Sequence, residues 1–165
     1  MLNPSMKRAR IFKLMAFIIA TLTFSWCLAA ESATSAMALI KKTGMGRNLT
    51  SLSYQYAQGT VTYQMIVVNI GHVSARSLLL KEINAALPKY QDQWDKNLAE
   101  VYAETFSAAE LESLAENPKD SPYVAKVIAN REKIGRLMHE KSIDLLQELI
   151  AKALLGAFSS ITPKQ

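Results

Sequence analysis

Cysteine and histidine are the scarcest chemically versatile residues of this 165-residue chain, which has one cysteine, Cys27, and two histidines, His72 and His139. A structural zinc site needs four ligands that come mainly from these two residue types. His139 and Glu140 are adjacent, and adjacent positions of a helix point about 100° apart, so these two side chains do not share a face. We therefore expect no metal site and no cofactor, with both histidines solvated or partly buried.

Signatures of nucleophilic catalysis and of phosphate binding are also missing. No serine lies in a Gly-x-Ser-x-Gly setting between a strand and a helix. Gly44 and Gly46 are not followed by Lys-Ser or Lys-Thr in the register of a phosphate-binding loop. The carboxylates of Glu110 and Glu112 are explained more simply by helix capping and by a solvated helix face. These absences predict a protein that is not an enzyme.

Positive charge is concentrated at the N-terminus of the chain. The net charge is +5, but residues 1–30 contain no acid and four cations, Lys7, Arg8, Arg10 and Lys13. When these four are taken from the 19 basic residues, 15 remain against 14 acidic ones, a net charge of +1. A body this close to neutral lacks the basic surface on which nucleic-acid binding depends, so we expect no nucleic-acid partner.

An uncharged, mostly apolar run of 17 residues, 14–30, follows these cations and ends in small side chains before Glu31. A basic stretch, an apolar stretch and a small-residue cleavage site together are typical of a secretory signal. We predict a signal peptide over residues 1–30, cleaved after Ala30, and a periplasmic or secreted protein. A later cut after Ala36 or Ala38 is left open. The alternative is an inner-membrane anchor, although a membrane span uses about 20 apolar residues. The membrane would then be contacted only through this uncleaved segment.

Cys27 lies within the same run and raises the question of lipidation. Trp26 precedes it directly, where a lipidated cysteine needs a small residue, so the match to a lipoprotein signal is poor. If Cys27 leaves with the signal, the mature protein has no cysteine and therefore neither disulfides nor thiolate chemistry. Its stability must then come from packing.

The rest of the chain is patterned for helices, because its apolar residues recur at intervals of three and four. We predict an all-α, single-domain helical bundle of about five to six helices over residues 31–158, followed by a flexible tail over 159–165. The predicted helices cover residues 32–42, 48–56, 74–87, 88–105 and 107–116, and one long C-terminal helix runs from Pro122 to about Leu155. Gly156 is the predicted stop of that helix, and a bend at Gly135 is left open.

Residues 60–70 are the ambiguous segment, because their valine, threonine and tyrosine side chains favour strands. Nothing downstream offers a partner strand, and an isolated strand would leave its backbone donors unpaired. We therefore predict a buried helix that continues from the segment ending at residue 56.

Residues 106–122 contain a helix start, a helix stop and a second helix start. Ser107 with Glu110 three residues later is typical of a capping box, in which each side chain bonds the backbone amide of the other residue. Ser121 is the predicted cap of the C-terminal helix, and Pro122 occupies its first position, where a missing amide costs nothing. All four residues therefore receive structural capping roles.

Aromatic side chains are the remaining candidates for a binding site. Four of them, at helical spacing over residues 90–106, are the candidate ligand-binding residues Tyr90, Trp94, Tyr102 and Phe106. The simpler interpretation is that they fill a helical core. The alternative is a pocket between helices that holds a small apolar molecule.

A recognisable motif spans residues 98–126. It consists of Tyr102-Ala103, Phe106-Ser107, Glu110-Leu111, Leu114, Ser121-Pro122 and Lys126. With these residues the chain resembles a bacterial family of exported proteins known as domain of unknown function 2059, over residues 98–155, and Leu39 to Gly44 is similar to the opening of that family.

The chain departs from the family where Asn117-Pro118 replaces an aromatic pair and Val124 replaces a glycine. The resemblance implies an all-helical periplasmic domain and supplies no activity. We therefore expect an exported helical protein that acts through an envelope protein partner or as an envelope accessory factor, with a homodimer left open. The alternative function is that of a carrier for a small apolar ligand.

Overall fold

The computed structural model describes residues 30–162, which form seven α-helices and no strand. Helix α1 covers residues 30–43, and the others are α2 (Leu49–Gln58), α3 (Val61–Ile70), α4 (His72–Ala86), α5 (Gln91–Ala103), α6 (Ala108–Glu116) and α7 (Val124–Ile161). Two short 3₁₀ helices, Met45–Asn48 and Leu87–Lys89, precede α2 and α5. The predicted all-α bundle with a long C-terminal helix is confirmed. The predicted signal peptide lies, apart from Ala30, outside the described residues.

Helix α7 is the element on which the bundle is assembled. Its 38 residues correspond to about 57 Å of helix at 1.5 Å per residue, and it packs against α2, α3, α4 and α5. Its buried side chains recur every three or four residues, so one face of the helix supplies a continuous apolar surface to its neighbours. The buried apolar residues of that face are Ile134, Met138, Leu146, Leu149, Ile150, Ala153, Leu154 and Ala157.

Residues 49–70 form two helices, which corrects the prediction of one continuous helix. Thr60 adopts an extended backbone conformation, φ −89° and ψ 148°, and its side chain accepts a hydrogen bond from the Tyr63 amide. This N-cap starts α3 as a separate helix. The prediction that residues 60–70 are helical is right, but only one face of the helix is buried: Tyr63 and Ile66 lie in the core, whereas Val61 and Val68 are 77% and 86% exposed.

The C-terminal end of the bundle differs from the prediction as well. Helix α7 continues through Gly156 to Ile161, so Gly156 is not a stop and residues 159–161 are helical rather than a flexible tail. A β-carbon at position 156 would lie 2.5 Å from Glu82 Oε2, on α4. Gly156 thus lies within α7 where the Glu82 side chain of α4 rests against it, and it is not a helix terminus. Helix α7 also runs through Gly135 without interruption.

Of the two helix caps predicted over residues 106–122, the structure has the one at the start of α6 and lacks the one at the start of α7. Both halves of the Ser107–Glu110 capping box are present at the start of α6. Helix α7 begins at Val124 with Tyr123 as its N-cap, so Ser121 and Pro122 lie in the preceding turn. The Ser121 hydroxyl accepts from the Tyr123 amide at 3.3 Å and shares a 2.9 Å hydrogen bond with the Ser113 hydroxyl of α6. Ser121 therefore ties the turn to α6 instead of capping α7.

Candidate functional site

An open apolar groove of about 380 Å³ lies between α2, α5 and α7, and we call it the main groove. The 3₁₀ helix before α2 closes one side of it. The main groove is lined by Met45, Asn48, Leu52, Tyr56, Trp94, Leu98, Tyr102, Val127, Arg131, Ile134, Gly135, Met138, His139, Ser142, Ile143 and Leu146.

Helix α7 supplies one long wall of the main groove. Its contributing positions run from Val127 to Leu146 in steps of one, three and four residues, which is the spacing of a single helical face. The 19 steps from Val127 to Leu146 correspond to about 28 Å at 1.5 Å per residue. The main groove is therefore elongated along α7.

Trp94 and Tyr102, two of the four aromatic residues predicted to bind a ligand, line the opposite wall. Both are almost fully buried, and the Trp94 indole Nε1 donates to Asn48 Oδ1 at 3.2 Å. This hydrogen bond satisfies the polar atom of the indole, so the small part of the ring that stays exposed is apolar. Burial raises the pKa of the Tyr102 hydroxyl, so this group stays neutral at physiological pH.

Tyr90 and Phe106, the other two predicted residues, lie outside the main groove. The Tyr90 hydroxyl donates to Glu148 Oε1 at 2.9 Å, and Lys89 Nζ binds the same oxygen at 2.8 Å. Phe106 stacks on Tyr102, with 5.5 Å between the ring centroids and 29° between the ring planes. The structure thus brings two members of the predicted set to one site and gives the other two packing roles.

Arg131, Gly135 and His139 form the exposed edge of the main groove on α7, at intervals of four residues. Among the lining residues, Arg131 is the single permanently charged one and none is a carboxylate. Within residues 30–162, Arg131 makes no ion pair, whereas Arg136 faces Glu140 at 4.0 Å. The edge of the main groove is therefore suited to a negatively charged group.

Gly135 has no packing role that would explain a glycine in the middle of a long helix. No heavy atom lies within 4 Å of the position that its β-carbon would occupy, and its φ is not positive. A glycine inside a helix costs about 0.5–1 kcal/mol relative to alanine. Without a side chain, this position leaves the edge of the main groove open.

A smaller apolar depression of about 220 Å³ adjoins the main groove near the start of α7. The two share Met45, Tyr102 and Val127, so the apolar surface is continuous from one to the other. The smaller depression extends toward α1 and α6 through Leu39 and Leu114. An elongated ligand therefore has apolar wall beyond the main groove itself.

Ser142 and its partner Asn97 are site residues that the sequence reasoning missed. Ser142 lines the main groove and accepts a hydrogen bond from Asn97 Nδ2 at 2.9 Å. A signal for Asn97 was present, because it follows Trp94 by three residues and therefore lies on the buried face of α5. No comparable pattern pointed to Gly135, whose role depends on empty space beside it.

A second surface feature lies on α3, where Val61, Met65 and Val68 are 77%, 47% and 86% exposed. Their spacing of four and three residues places them on one helical face, which we call the α3 face. Exposed apolar side chains that cluster in this way mark interaction surfaces more often than scattered ones do.

A metal site and a membrane-spanning helix are both absent from the described part of the chain. Within residues 30–162, no three His, Cys, Asp or Glu side chains are grouped so that they could hold a metal ion. No helix in the same range is both long enough and apolar enough to span a bilayer.

No protein-family model, curated protein or solved structure matches this chain. The resemblance to domain of unknown function 2059 therefore stays a prediction from the sequence.

Proposed function

We propose that this chain is an exported, non-enzymatic binding protein whose main groove holds the apolar part of a small ligand. The observation that carries the proposal is the main groove itself. Its volume of about 380 Å³ lies within the range of roughly 300–1,000 Å³ that is typical of small-molecule sites. Aromatic and aliphatic side chains line most of it, with a few polar groups at the edge, which is the usual composition of such sites.

The polar groups of the main groove support binding rather than catalysis. Ser142 is its one aliphatic hydroxyl, and this hydroxyl is paired with the Asn97 amide and the Met138 sulfur at 2.9 and 3.8 Å. A serine nucleophile needs a base within hydrogen-bonding distance, and neither partner can act as one. His139 lies on the exposed edge and has no hydrogen bond to Ser142 within residues 30–162.

A neutral fluorescent apolar probe, N-phenyl-1-naphthylamine, tests the proposal. We expect the full chain to bind this probe with enhanced fluorescence. In a separate experiment, the gently purified protein should retain the added mass of a bound ligand in native mass spectrometry. Gly135→Leu should abolish probe binding because position 135 lines the main groove and a leucine there adds bulk at its edge. Ala129→Leu is the matched control, since position 129 is exposed on α7 and does not line the main groove. Wild-type protein that neither binds the probe nor retains mass would contradict the proposal.

A second candidate function, binding of an envelope protein partner, is supported by the α3 face. A photo-crosslinking residue at Val68 in cells should give one discrete adduct, whereas the same residue at Ser77, which is exposed on α4, should give none. Met65→Lys should abolish the adduct because it places a charge at the centre of the α3 face. An adduct of twice the protein's mass would identify a homodimer. Equal crosslinking at both positions would exclude this function.

A further inference from the structure

Among the residues that line the main groove, the only permanent charge is positive. Arg131 contributes a permanent cation at its edge, His139 adds a hydrogen-bonding ring two turns along α7, and Asn48 faces them with an amide. Below the edge the walls are aliphatic and aromatic, and they contain no carboxylate among the lining residues of the described chain. A ligand that matches this arrangement has an anionic end at the surface and an apolar body beneath it.

The shape of the main groove favours a narrow apolar body. The lining face of α7 extends for about 28 Å, while the volume is only about 380 Å³. Gly135 lies midway along the exposed edge, with nothing within 4 Å of its β-carbon position. A side chain there would narrow the edge of the main groove at its middle.

We propose that the main groove binds a single-chain amphiphile with an anionic head group, its chain lying along α7 past Gly135 and its head beside Arg131. This inference rests on the proposed function and adds the chemical class of the ligand. The chain gains its binding energy by leaving water for the surface formed by Trp94 and the aliphatic residues of α7. The head group selects against neutral and cationic amphiphiles of equal length.

Trp94 is a direct reporter of binding. The chain has two tryptophans, Trp26 and Trp94, so the full chain carrying Trp26→Phe has one indole, and this indole lines the main groove. We would titrate this protein with dodecanoate, dodecyl phosphate, dodecanol and dodecyltrimethylammonium, each below its micellar concentration, and follow the emission of Trp94. Octanoate and decanoate complete a chain-length series.

Either anion should bind about two- to fivefold more tightly than dodecanol, as expected for an exposed charge pair, and the cation should bind most weakly. The anion that binds more tightly identifies the head group as carboxylate or phosphate. Affinity should rise by up to about fourfold per added methylene.

Arg131→Gln should remove the preference for anions and leave dodecanol binding unchanged. Arg136→Gln is the matched control, because Arg136 is exposed on α7 and lies outside the main groove.

Gly135→Leu should weaken dodecanoate binding at least about tenfold, while Ala129→Leu should leave it unchanged. Dodecanol and the cationic amphiphile binding as tightly as dodecanoate would overturn the anionic head group but leave the proposed apolar-ligand function in place. If Arg136→Gln removed the preference for anions and Arg131→Gln did not, the assigned position of the head group would be overturned. If neither the amphiphiles nor the neutral naphthylamine probe bound, the inference and the proposed function would both fall.

Discussion

Asn97 and Ser142 form a buried hydrogen bond that joins α5 to α7, with 2.9 Å between Asn97 Nδ2 and Ser142 Oγ. The same amide nitrogen donates to the Lys141 carbonyl at 3.2 Å, and Asn97 Oδ1 accepts from Gln93 Nε2 at 2.8 Å. Polar groups in an apolar interior restrict how two helices can pack, because other alignments would leave them unpaired. This pair therefore fixes the two long walls of the main groove relative to each other.

Asn97→Ala should lower the free energy of unfolding by about 1–3 kcal/mol, since it removes three hydrogen bonds and leaves the buried Ser142 hydroxyl with the Met138 sulfur alone. Urea unfolding followed by circular dichroism measures this as a lower midpoint with an unchanged slope. Asn69→Ala is the control, because Asn69 is exposed and bonds only the Met65 carbonyl of its own helix. That change should stay within about 0.5 kcal/mol. Similar losses for both variants would show that the buried pair has no special role.

Periodicity in the sequence predicts most of the helices and their order, although it does not separate α2 from α3. Apolar spacing predicts helices over residues 74–87 and 88–105, and the structure has helices at His72–Ala86 and Gln91–Ala103. Capping chemistry was equally informative at Ser107 and Glu110, because a capping box depends on four consecutive residues and needs no tertiary contact. Local physics therefore determined most of the secondary structure.

Tertiary contacts explain the predictions that were wrong. Gly156 has the sequence features of a helix stop, but the Glu82 side chain of α4 occupies the space beside it and α7 continues to Ile161. Residues 61–70 are apolar enough for a buried helix, yet Val61 and Val68 face outward. Of the four aromatic residues predicted to bind a ligand, Trp94 and Tyr102 line the main groove and Tyr90 and Phe106 do not. Which neighbour covers a helix face is not encoded in the spacing of its own residues.

The capping box at the start of α6 gives a second prediction. Ser107→Ala should cost about 1 kcal/mol of stability, because the Glu110 amide loses its acceptor. Ligand binding should be unchanged, since Ser107 does not line the main groove. Thermal unfolding together with probe titration separates the two effects. Ser77→Ala, at an exposed position within α4, should change stability by no more than about 0.5 kcal/mol. Loss of probe binding with an unchanged melting temperature would mean that Ser107 belongs to a functional surface.

Glu110 should make stability depend on pH in the acidic range. Hydrogen bonds from Lys126 Nζ, at 2.7 and 2.8 Å, and then from the Ser107 amide hold the pKa of its carboxyl below the ordinary value of 4.5. Because the folded pKa is the lower one, the unfolded state binds the proton more readily. The stabilisation by Glu110 is therefore fully present above pH 4.5 and is lost as the pH falls through the folded pKa.

Glu110→Gln tests this pH dependence. The difference in unfolding free energy between wild type and variant should be largest near neutral pH and should shrink as the pH falls below 4.5. Glu116→Gln is the control, because Glu116 is exposed near the end of the same helix and is not part of the capping box. A difference for Glu110→Gln that stayed constant from neutral to acidic pH would show that the carboxylate contributes through packing rather than through its charge.

Gly135 and Gly71 should respond in opposite directions to the same substitution. Gly135→Ala places a β-carbon in open space within a regular helix, so stability should rise by about 0.5–1 kcal/mol. Gly71→Ala also meets no neighbouring atom, but its φ of +77° with ψ of 159° lies in a region that only glycine adopts readily. That variant should lose about 1–3 kcal/mol.

Chemical unfolding of both variants, with the naphthylamine probe added in parallel, separates backbone effects from effects on the main groove. Gly135→Ala should be more stable than wild type and yet bind the probe less tightly, because its methyl group narrows the edge of the main groove. Gly71→Ala should be less stable but bind normally while it is folded, since Gly71 lies between α3 and α4, outside the lining of the main groove. A gain in stability at position 135 with no loss of binding would mean that the glycine does not serve the ligand.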